Sequence, residues 1–307
     1  MLSTEFRYFL AVADSGSLSA ASRQLFVATS AISRQIQRLE EEVGVPLFDR
    51  HARGMVLNDA GKIFEHRLRQ SQRDMDATLS EIKGLTAVRR TAIRIACTEG
   101  LAYDLLPALC SLFRRQYPSV SFHIQAGNVR QVSESLNRGE CDLGLQFCLH
   151  PERSVQIAGS WPAPVLVVMS AQHPLASHTF RLQDLSSYPV ALTDQTTTVR
   201  QLFDLSCQMN GVFIEPTLTC NNFATLYNFL RQTPQAVTLC SRFTVPFNNE
   251  DNPLVLRSLD INQLTQRTLQ IHLMPGRQHS AAMSLFLEFM TEQLQKRSDQ
   301  FQEPLHG

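Results

Sequence analysis

Arginine and hydroxyl side chains are concentrated in one basic segment near the start of the chain. They stand at these positions: Thr29, Ser30, Ser33, Arg34, Arg38, Arg50 and Arg53. The first five lie in a segment with apolar residues at helical spacing, and the last two lie in a short turn that ends at Gly54. The N-terminal end of a helix in the major groove reaches base edges, and arginine is favoured in a narrow minor groove. We therefore expect a DNA-binding surface.

Each of these side chains has its own expected contact. Arg34 lies where it can reach guanine or phosphate, and the hydroxyls of Thr29, Ser30 and Ser33 suit phosphates or base edges. Arg38, one turn further on, and Arg50 are expected at phosphates, and Arg53 in the minor groove. The alternative is a helix-turn-helix that serves packing alone.

Three short helices and a hairpin must position these side chains. Phe6, Phe9, Leu10 and Ala13 predict a first helix, and Ser17 can cap a second helix with small residues on its inner face. A third helix is expected from Thr29 to Val43, where Gly44 ends it. Two short strands around residues 46–48 and 55–57 then form a wing. Ala28 precedes the third helix and cannot cap it with a side chain.

A long helix is predicted at about residues 59–87. A mostly apolar stripe of positions in it alternates four and three apart: Phe64, Leu68, Ser71, Met75, Thr78, Ile82 and Leu85. Such a stripe is typical of a two-helix seam. Since no helix of the preceding winged domain was expected beside it, we favour a seam with a second copy of the chain over the alternative, a helix that lies on its own domain.

From Ile93 onward, strands and helices alternate, which predicts a mostly parallel α/β sheet. Open sheets of this kind bind ligands at the carboxyl ends of strands. Two such ends, residues 98–100 and 193–198, offer hydroxyls and backbone N–H groups that suit a carboxylate. The candidate ligands from these ends are Thr98, Glu99, Gly100, Thr193, Thr196 and Thr197. Glu99 would either bind an amino group or oppose an anion.

The chain resembles the LysR-type transcriptional regulators. The residues that carry the resemblance are Ala20-Ala21, Ser33-Arg34-Gln35-Ile36 with Leu39-Glu40, Gly44 with Leu47-Phe48-Asp49-Arg50, Ala60-Gly61 with Phe64, Leu105-Leu106-Pro107, Gly139–Gly144 and His173–Ala176. The resemblance covers the whole chain. It implies an N-terminal all-α winged helix-turn-helix with a long linker helix, followed by a periplasmic-binding-protein-like α/β effector domain of two subdomains.

The resemblance also implies boundaries, partners and further ligands. The DNA-binding domain is expected at residues 1–58, the linker and dimerisation helix at 59–90 and the effector domain at 91–300. Its subdomain I would hold residues 91–162 and 266–300, and subdomain II residues 163–265. Alignment to the family adds five candidate effector ligands: Asn128, Phe147, Asn221, Asn222 and Phe223.

The expected partners are double-stranded DNA, a small-molecule effector, and further copies of the chain as a homodimer that assembles into a homotetramer. RNA polymerase is a further candidate partner. The class of effector stays open between an amino acid and an organic acid. Two departures from the family pattern bear on recognition: Ala28-Thr29 replaces the usual Ser-Gln, and Ser241 stands where a proline is usual.

Composition excludes other classes of protein. The formal net charge is zero, so attraction to DNA must come from local patches. No signal peptide or membrane span is visible, which predicts a cytoplasmic protein without a membrane partner. The seven cysteines include no C-x-x-C pair. The sequence also has no Ser/His/Asp order of a hydrolase, no spacing typical of metal ligands and no glycine-rich phosphate-binding loop, so we expect no enzyme, metal or cofactor. The alternatives are a redox regulator that uses cysteine or methionine, and a solute-binding module without DNA activity.

Overall fold

The computed structural model describes residues 3–51, 54–84, 91–152, 154–245 and 254–300. Within the helix that ends at Gly84, side chains are described up to residue 72 and at Met75. The chain divides into two compact units, Met1–Arg89 and Arg90–Gly307. Arg53 and Leu85, which the sequence analysis singled out, lie outside the described residues.

The first unit is a three-helix domain with a hairpin and a long final helix. Its elements are α1 (Thr4–Ser15), α2 (Leu18–Leu25), α3 (Thr29–Val43), β1 (Phe48–His51), β2 (Gly54–Leu57) and α4 (Asp59–Gly84). The two strands are antiparallel, and Phe48 pairs with Leu57. The predicted helix-turn-helix and wing are confirmed, although the first strand begins two residues later than expected.

Local sequence accounts for the ends of these helices. The Ser17 hydroxyl accepts a hydrogen bond from the Ala20 N–H at 3.0 Å and so caps α2. Gly44 ends α3 with φ 82°, in the left-handed region that glycine adopts without steric cost. Ala28 precedes α3 and makes no side-chain cap, as its methyl group dictates.

The expectation about the apolar stripe of α4 is wrong in its first two turns. Phe64 packs its ring against Phe6 and Phe9 of α1, with centroids 5.8 and 5.2 Å apart, and Leu68 is buried in the same core. These positions therefore fill the winged domain's own core, because α1 lies beside α4. Met75, further along, is 49% exposed and stays available to a partner.

The second unit contains two five-stranded sheets, each with its own core. Lobe I carries the strand order β4-β3-β5-β12-β6. Its elements are β3 (Thr91–Thr98), α5 (Glu99–Tyr103), α6 (Leu105–Gln116), β4 (Val120–Gly127), α7 (Val129–Asn137), β5 (Leu143–Cys148), β6 (Gln156–Pro162), β12 (Thr268–Leu273) and α10 (Ala281–Asp299). Strands β3, β4 and β5 run parallel, and β12 is antiparallel to β5 and β6.

Lobe II carries the strand order β11-β7-β10-β8-β9. Its elements are β7 (Leu166–Ser170), β8 (Val190–Thr193), α8 (Thr198–Met209), β9 (Leu218–Cys220), α9 (Phe223–Gln232), β10 (Val237–Cys240) and β11 (Leu254–Arg257), with 3-10 turns at Pro174–Ser177, Leu182–Ser187 and Asn262–Thr265. Strands β8, β9 and β10 are parallel. The chain crosses between the lobes near residues 163–165 and again near residues 264–267, where the crossings are hydrogen-bonded to each other.

No helix in the described part of the chain is long and apolar enough to cross a lipid bilayer.

Candidate nucleic-acid interface and effector cleft

Helix α3 buries one face and presents the other to solvent. Ile32, Ile36 and Leu39 are buried in the core of the first unit. The predicted contact residues Thr29, Ser30, Arg34 and Arg38 are exposed, and Ser33 is half-buried between the two faces. The Arg34 Nε donates to the Ser30 carbonyl at 3.4 Å, which leaves its terminal guanidinium nitrogens outward. Polar and basic side chains therefore lie exposed at the start of α3, the end by which a helix in the major groove contacts base edges.

The Glu40 carboxylate joins α3 to the wing. Its Oε1 accepts hydrogen bonds from the backbone N–H groups of Leu47 and Phe48, at 2.8 and 3.2 Å. Its Oε2 lies 3.6 Å from Nη2 of Arg50. The Arg50 side chain is 58% exposed, so its guanidinium can pair with Glu40 and still face a phosphate.

The wing is also fixed to the start of the domain. The Met55 N–H donates to the Gly16 carbonyl at 2.8 Å. Gly54 precedes it with φ 140°, and a Cβ at Gly54 would collide with the same carbonyl oxygen. Arg53, the predicted minor-groove residue, lies outside the described residues, so its place stays a prediction.

A cleft of about 300 Å³ opens between the lobes of the second unit, at the carboxyl ends of the parallel strands. Most of the predicted effector ligands line it: Thr98, Glu99, Gly100, Asn128, Phe147, Thr193, Thr196, Thr197, Asn221 and Phe223. Asn222 does not line it. Its Oδ1 accepts from the Thr225 N–H at 3.0 Å and caps α9, while its Nδ2 donates to Glu99, so its amide is used within the protein.

Several lining side chains are already engaged as helix caps. Asn128 caps α7 by accepting from the Gln131 N–H at 2.9 Å, and Thr197 caps α8 by accepting from the Arg200 N–H at 3.3 Å. Thr193 and Thr197 share a hydrogen bond, and the Thr196 hydroxyl donates to Asp194. These bonds fix the two strand ends, and they reduce the number of groups that are free for a ligand.

Glu99 departs from its expected role. Both of its carboxylate oxygens accept hydrogen bonds from lobe II, one from Asn222 Nδ2 and one from the Phe223 N–H, each at 2.7 Å. Burial raises the pKa of this carboxyl, and the bond from Phe223 acts in the opposite direction. Glu99 therefore connects the lobes at the edge of the cleft, and neither of its oxygens is left without a donor.

Two lining residues have polar atoms without partners. The hydroxyl of Thr98 and the Nη1 of Arg267 are buried and make no hydrogen bond within the described part of the chain. Arg267 is fully buried, and sequence reasoning missed it. It stands immediately before a strand, where an arginine is usually solvent-exposed, so nothing in the local pattern marks it. Gln131, Ser241 and Thr244 also line the cleft and were not among the expected ligands.

Burial makes six of the seven cysteines unreactive. All are free, and each is buried except Cys220, which is half-buried. Burial raises the pKa of Cys97, Cys110 and Cys240 to about 12 and that of Cys148 and Cys207 to about 11, and it also raises the pKa of Cys141. Because the thiolate is the reactive form, burial disfavours oxidation at these six. Within the described ranges, no group of three or more His, Cys, Asp or Glu side chains could hold a metal.

Two family models match the chain. Residues 3–62 match "Bacterial regulatory helix-turn-helix protein, lysR family", and residues 87–295 match "LysR substrate binding domain". The second match alone spans more than half of the chain. Together the matches cover α1 to the start of α4 and both lobes around the cleft.

Individual relatives point the same way. An uncharacterised HTH-type transcriptional regulator of Bacillus subtilis, YybE, is 31% identical over 56% of this chain and 59% of its own length. The transcriptional dual regulator GltC of the same organism is 31% identical over 67% of this chain and 70% of its own. The chain thus spans less than two thirds of the length of YybE and slightly more than two thirds of the length of GltC.

Solved structures of low identity share the fold. Full-length OxyR from Pseudomonas aeruginosa matches with a TM-score of 0.65 at 17% identity, over 94% of both chains. Full-length CbnR in complex with its target DNA matches with a TM-score of 0.59 at 18% identity, over 95% of this chain and 99% of that one.

Proposed function

The chain belongs to the LysR family of DNA-binding transcriptional regulators, and we propose that a small molecule bound in its cleft controls it. Family membership rests on the two matching models, and the second of them is a substrate-binding domain. The observation that carries the proposal is the cleft of about 300 Å³ at the carboxyl ends of the parallel strands. This is where open α/β sheets bind ligands. A solute-binding module without DNA activity does not account for the helix-turn-helix match.

For DNA, we propose that α3 enters the major groove. Thr29, Ser30 and Arg34 would meet base edges or phosphates, with Ser33 beside them, while Arg38 and Arg50 would contact phosphates. Their exposure at the start of α3 and beside the wing supports these roles. Arg53 is proposed for the minor groove. A homodimer, assembling further into a homotetramer, would place two such helices on a pseudo-palindromic site.

For the effector, we propose that binding in the cleft changes the relative population of two arrangements of the lobes. A ligand shifts such an equilibrium only by its differential affinity for the two states. A ligand that touches both strand ends, at residues 98–100 and 193–198, meets this requirement, because each end belongs to a different lobe. Thr98, Thr193 and Asn221 are the proposed polar contacts, and Phe147 and Phe223 the apolar ones.

The test of DNA binding is a matched pair of arginine variants. The DNA probe is a genomic fragment that is selected for binding to the full-length protein. On such a fragment Arg34→Ala should weaken binding by about 1–3 kcal/mol if Arg34 contacts a base. Arg130→Ala, which removes an 83% exposed arginine from α7, serves as the control and should leave affinity unchanged. Equal affinity of Arg34→Ala and the parent would overturn the role of α3.

A thiol-based redox mechanism is the alternative that the cysteines allow. The raised pKa values of six of them disfavour it. Affinity for the selected fragment, measured with and without hydrogen peroxide, decides the matter. A peroxide response that disappears in a cysteine-free variant would replace the effector proposal with the redox one.

A further inference from the structure

The turn that leads into α3 presents an aromatic ring to solvent. Phe26 is 94% exposed, the most exposed of the large apolar side chains in the described part of the chain. Its φ of 56° lies in the left-handed region, and among the described residues only glycines share a positive φ with it. Glycine or asparagine would suit this backbone better, and a polar side chain would suit the exposure better. Such an outlier beside a proposed binding surface indicates that the ring has a function.

Contacts within the turn hold the ring outward. Leu25 and Val27, on either side of Phe26, are half-buried and pack against the core of the first unit. The Ser22 hydroxyl donates to the Val27 carbonyl at 2.5 Å. The Ser22 carbonyl accepts from the N–H groups of Phe26 and Val27, the latter at 3.2 Å. The turn is therefore fixed before a partner binds, and a rotation that buried Phe26 would expose its neighbours.

The ring lies near the end of α3 that we propose for the major groove. Phe26 precedes Thr29, the first residue of α3, by three positions, so their Cα atoms are at most about 11 Å apart. Successive bases of a strand are about 3.4 Å apart along the duplex, so this distance covers about three base steps. Ala28, which lies between the two, is exposed and makes no side-chain cap. The entry to α3 therefore offers mostly apolar surface.

Electrostatics favours DNA as the partner of this surface. Residues 15–39 include three exposed arginines, Arg23, Arg34 and Arg38, and no aspartate or glutamate. A second copy of the same surface would bring like charges together, whereas the phosphates of DNA carry the opposite charge. In the major groove the apolar group of a polyanion is the C5-methyl of thymine, which phenylalanine can contact.

We infer that Phe26 is a specificity-determining residue whose ring covers thymine methyl groups at the edge of the bound site. The inference rests on the proposed placement of α3 in the major groove. It assigns to the turn a part of the base readout that hydrogen bonds from Thr29, Ser30 and Arg34 do not supply. Because the left-handed turn is already formed in the free protein, no backbone has to be ordered for this contact.

Removal of the thymine methyl groups tests the inference on the full-length protein. The selected genomic fragment is copied once with thymidine triphosphate and once with deoxyuridine triphosphate, so the two probes differ in their C5-methyl groups. At one salt concentration, the parent should bind the thymine probe more tightly, by about fourfold for each methyl group that the ring covers. Phe26→Ala should lose this part of the preference. Phe213→Ala is the matched control, because it removes an 84% exposed phenylalanine from lobe II and should keep the preference of the parent.

Equal affinity of the parent for the two probes overturns the inference, and so does a preference that Phe26→Ala retains in full. If Phe26→Ala weakens binding to both probes by the same factor, the ring contacts the sugar-phosphate backbone and the thymine role is wrong. Should Phe26→Ala fail to fold, Phe26→Asn takes its place, because asparagine tolerates the left-handed turn.

Arg34→Ala, measured on the thymine probe, separates this inference from the proposed function. If Arg34→Ala weakens binding while Phe26→Ala keeps the preference of the parent, the thymine contact alone is refuted. If Arg34→Ala and Phe26→Ala both bind like the parent, the proposed role of α3 fails together with the thymine contact.

Discussion

The carboxylate of Glu99 caps a helix in the opposite lobe by accepting a hydrogen bond from the Phe223 N–H at 2.7 Å. Phe223 is the first residue of α9, where the helix dipole and unpaired N–H groups favour a negative charge. Tyr103 adds a ring contact to Phe223, with centroids 5.7 Å apart. The two lobes are therefore joined at the edge of the cleft by a carboxylate that sequence reasoning assigned to the effector.

Removal of this joint should weaken the second unit. Glu99→Ala leaves the Phe223 N–H without its acceptor, so we expect a loss of about 1–2 kcal/mol in the free energy of unfolding. Glu99→Gln keeps an acceptor oxygen and should lose less. Urea unfolding followed by fluorescence measures this directly, because Trp161 is the single tryptophan and is buried in lobe I. Equal stability of Glu99→Ala and a surface variant, Glu134→Ala, would contradict the joint.

Glu40 should matter for both the stability of the winged domain and its affinity for DNA. Glu40→Ala removes the acceptor for two backbone N–H groups, those of Leu47 and Phe48, and frees Arg50. We expect a loss of about 1–3 kcal/mol in stability, together with weaker DNA binding, because the wing is no longer held to α3. Glu41→Ala, on the exposed side of α3, is the control. If both variants behave alike, the wing is positioned by other contacts.

Phe26 sits in an unfavourable backbone conformation at the turn between α2 and α3. Its φ is 56°, the left-handed region, and its side chain is 94% exposed. Asparagine tolerates this conformation better, and an exposed ring loses little packing when it is replaced. Phe26→Asn should therefore raise the stability of the first unit by about 1 kcal/mol, which thermal unfolding can detect. A lower Tm would mean that the ring makes a stabilising contact in the assembled protein.

Stability should fall as the pH drops below about 6.5, the pKa of a histidine in an unfolded chain. His272 is buried between two glutamines: its Nε2 lies 2.8 Å from Gln270 Oε1, and its Nδ1 lies 3.1 Å from Gln146 Nε2. A neutral ring donates to the first and accepts from the second, whereas a protonated ring would turn a second N–H toward the Gln146 amide.

Burial lowers the pKa of His272, although Glu152, 3.8 Å from Nδ1, acts against this shift. The unfolded chain therefore takes up the proton first. Below pH 6.5 the free energy of unfolding falls by at most about 1.4 kcal/mol per pH unit for each such group. The fall ends where the histidine of the folded protein also takes up a proton. His173 and His279 have lowered pKa values for the same reason and add to the effect. Urea unfolding near pH 7.5 and pH 5.5 should show a smaller difference for His272→Gln than for the parent.

Local sequence predicted the three short helices and the hairpin of the first unit. The spacing of Ile32, Ile36 and Leu39 placed one face of α3 in the core, and Ser17 and Gly44 marked helix ends. These features depend on residues within a few positions of each other, so periodicity and capping chemistry are enough to predict them. The alternation of strands and helices likewise predicted two strand ends that line the cleft.

Only the tertiary structure decided which residues that are distant in sequence contact each other. Phe64 packs against α1 of its own domain, and not in a seam with a second copy of the chain, because α1 lies beside α4. Glu99 reaches a helix 124 residues away, and the buried guanidinium of Arg267 packs against the Phe147 ring. No local pattern encodes such pairings, since they depend on how distant strands come together in the folded sheets. The sequence therefore predicted the surface that we propose for DNA, and the folded lobes decided which side chains of the cleft keep polar atoms without partners among the described residues.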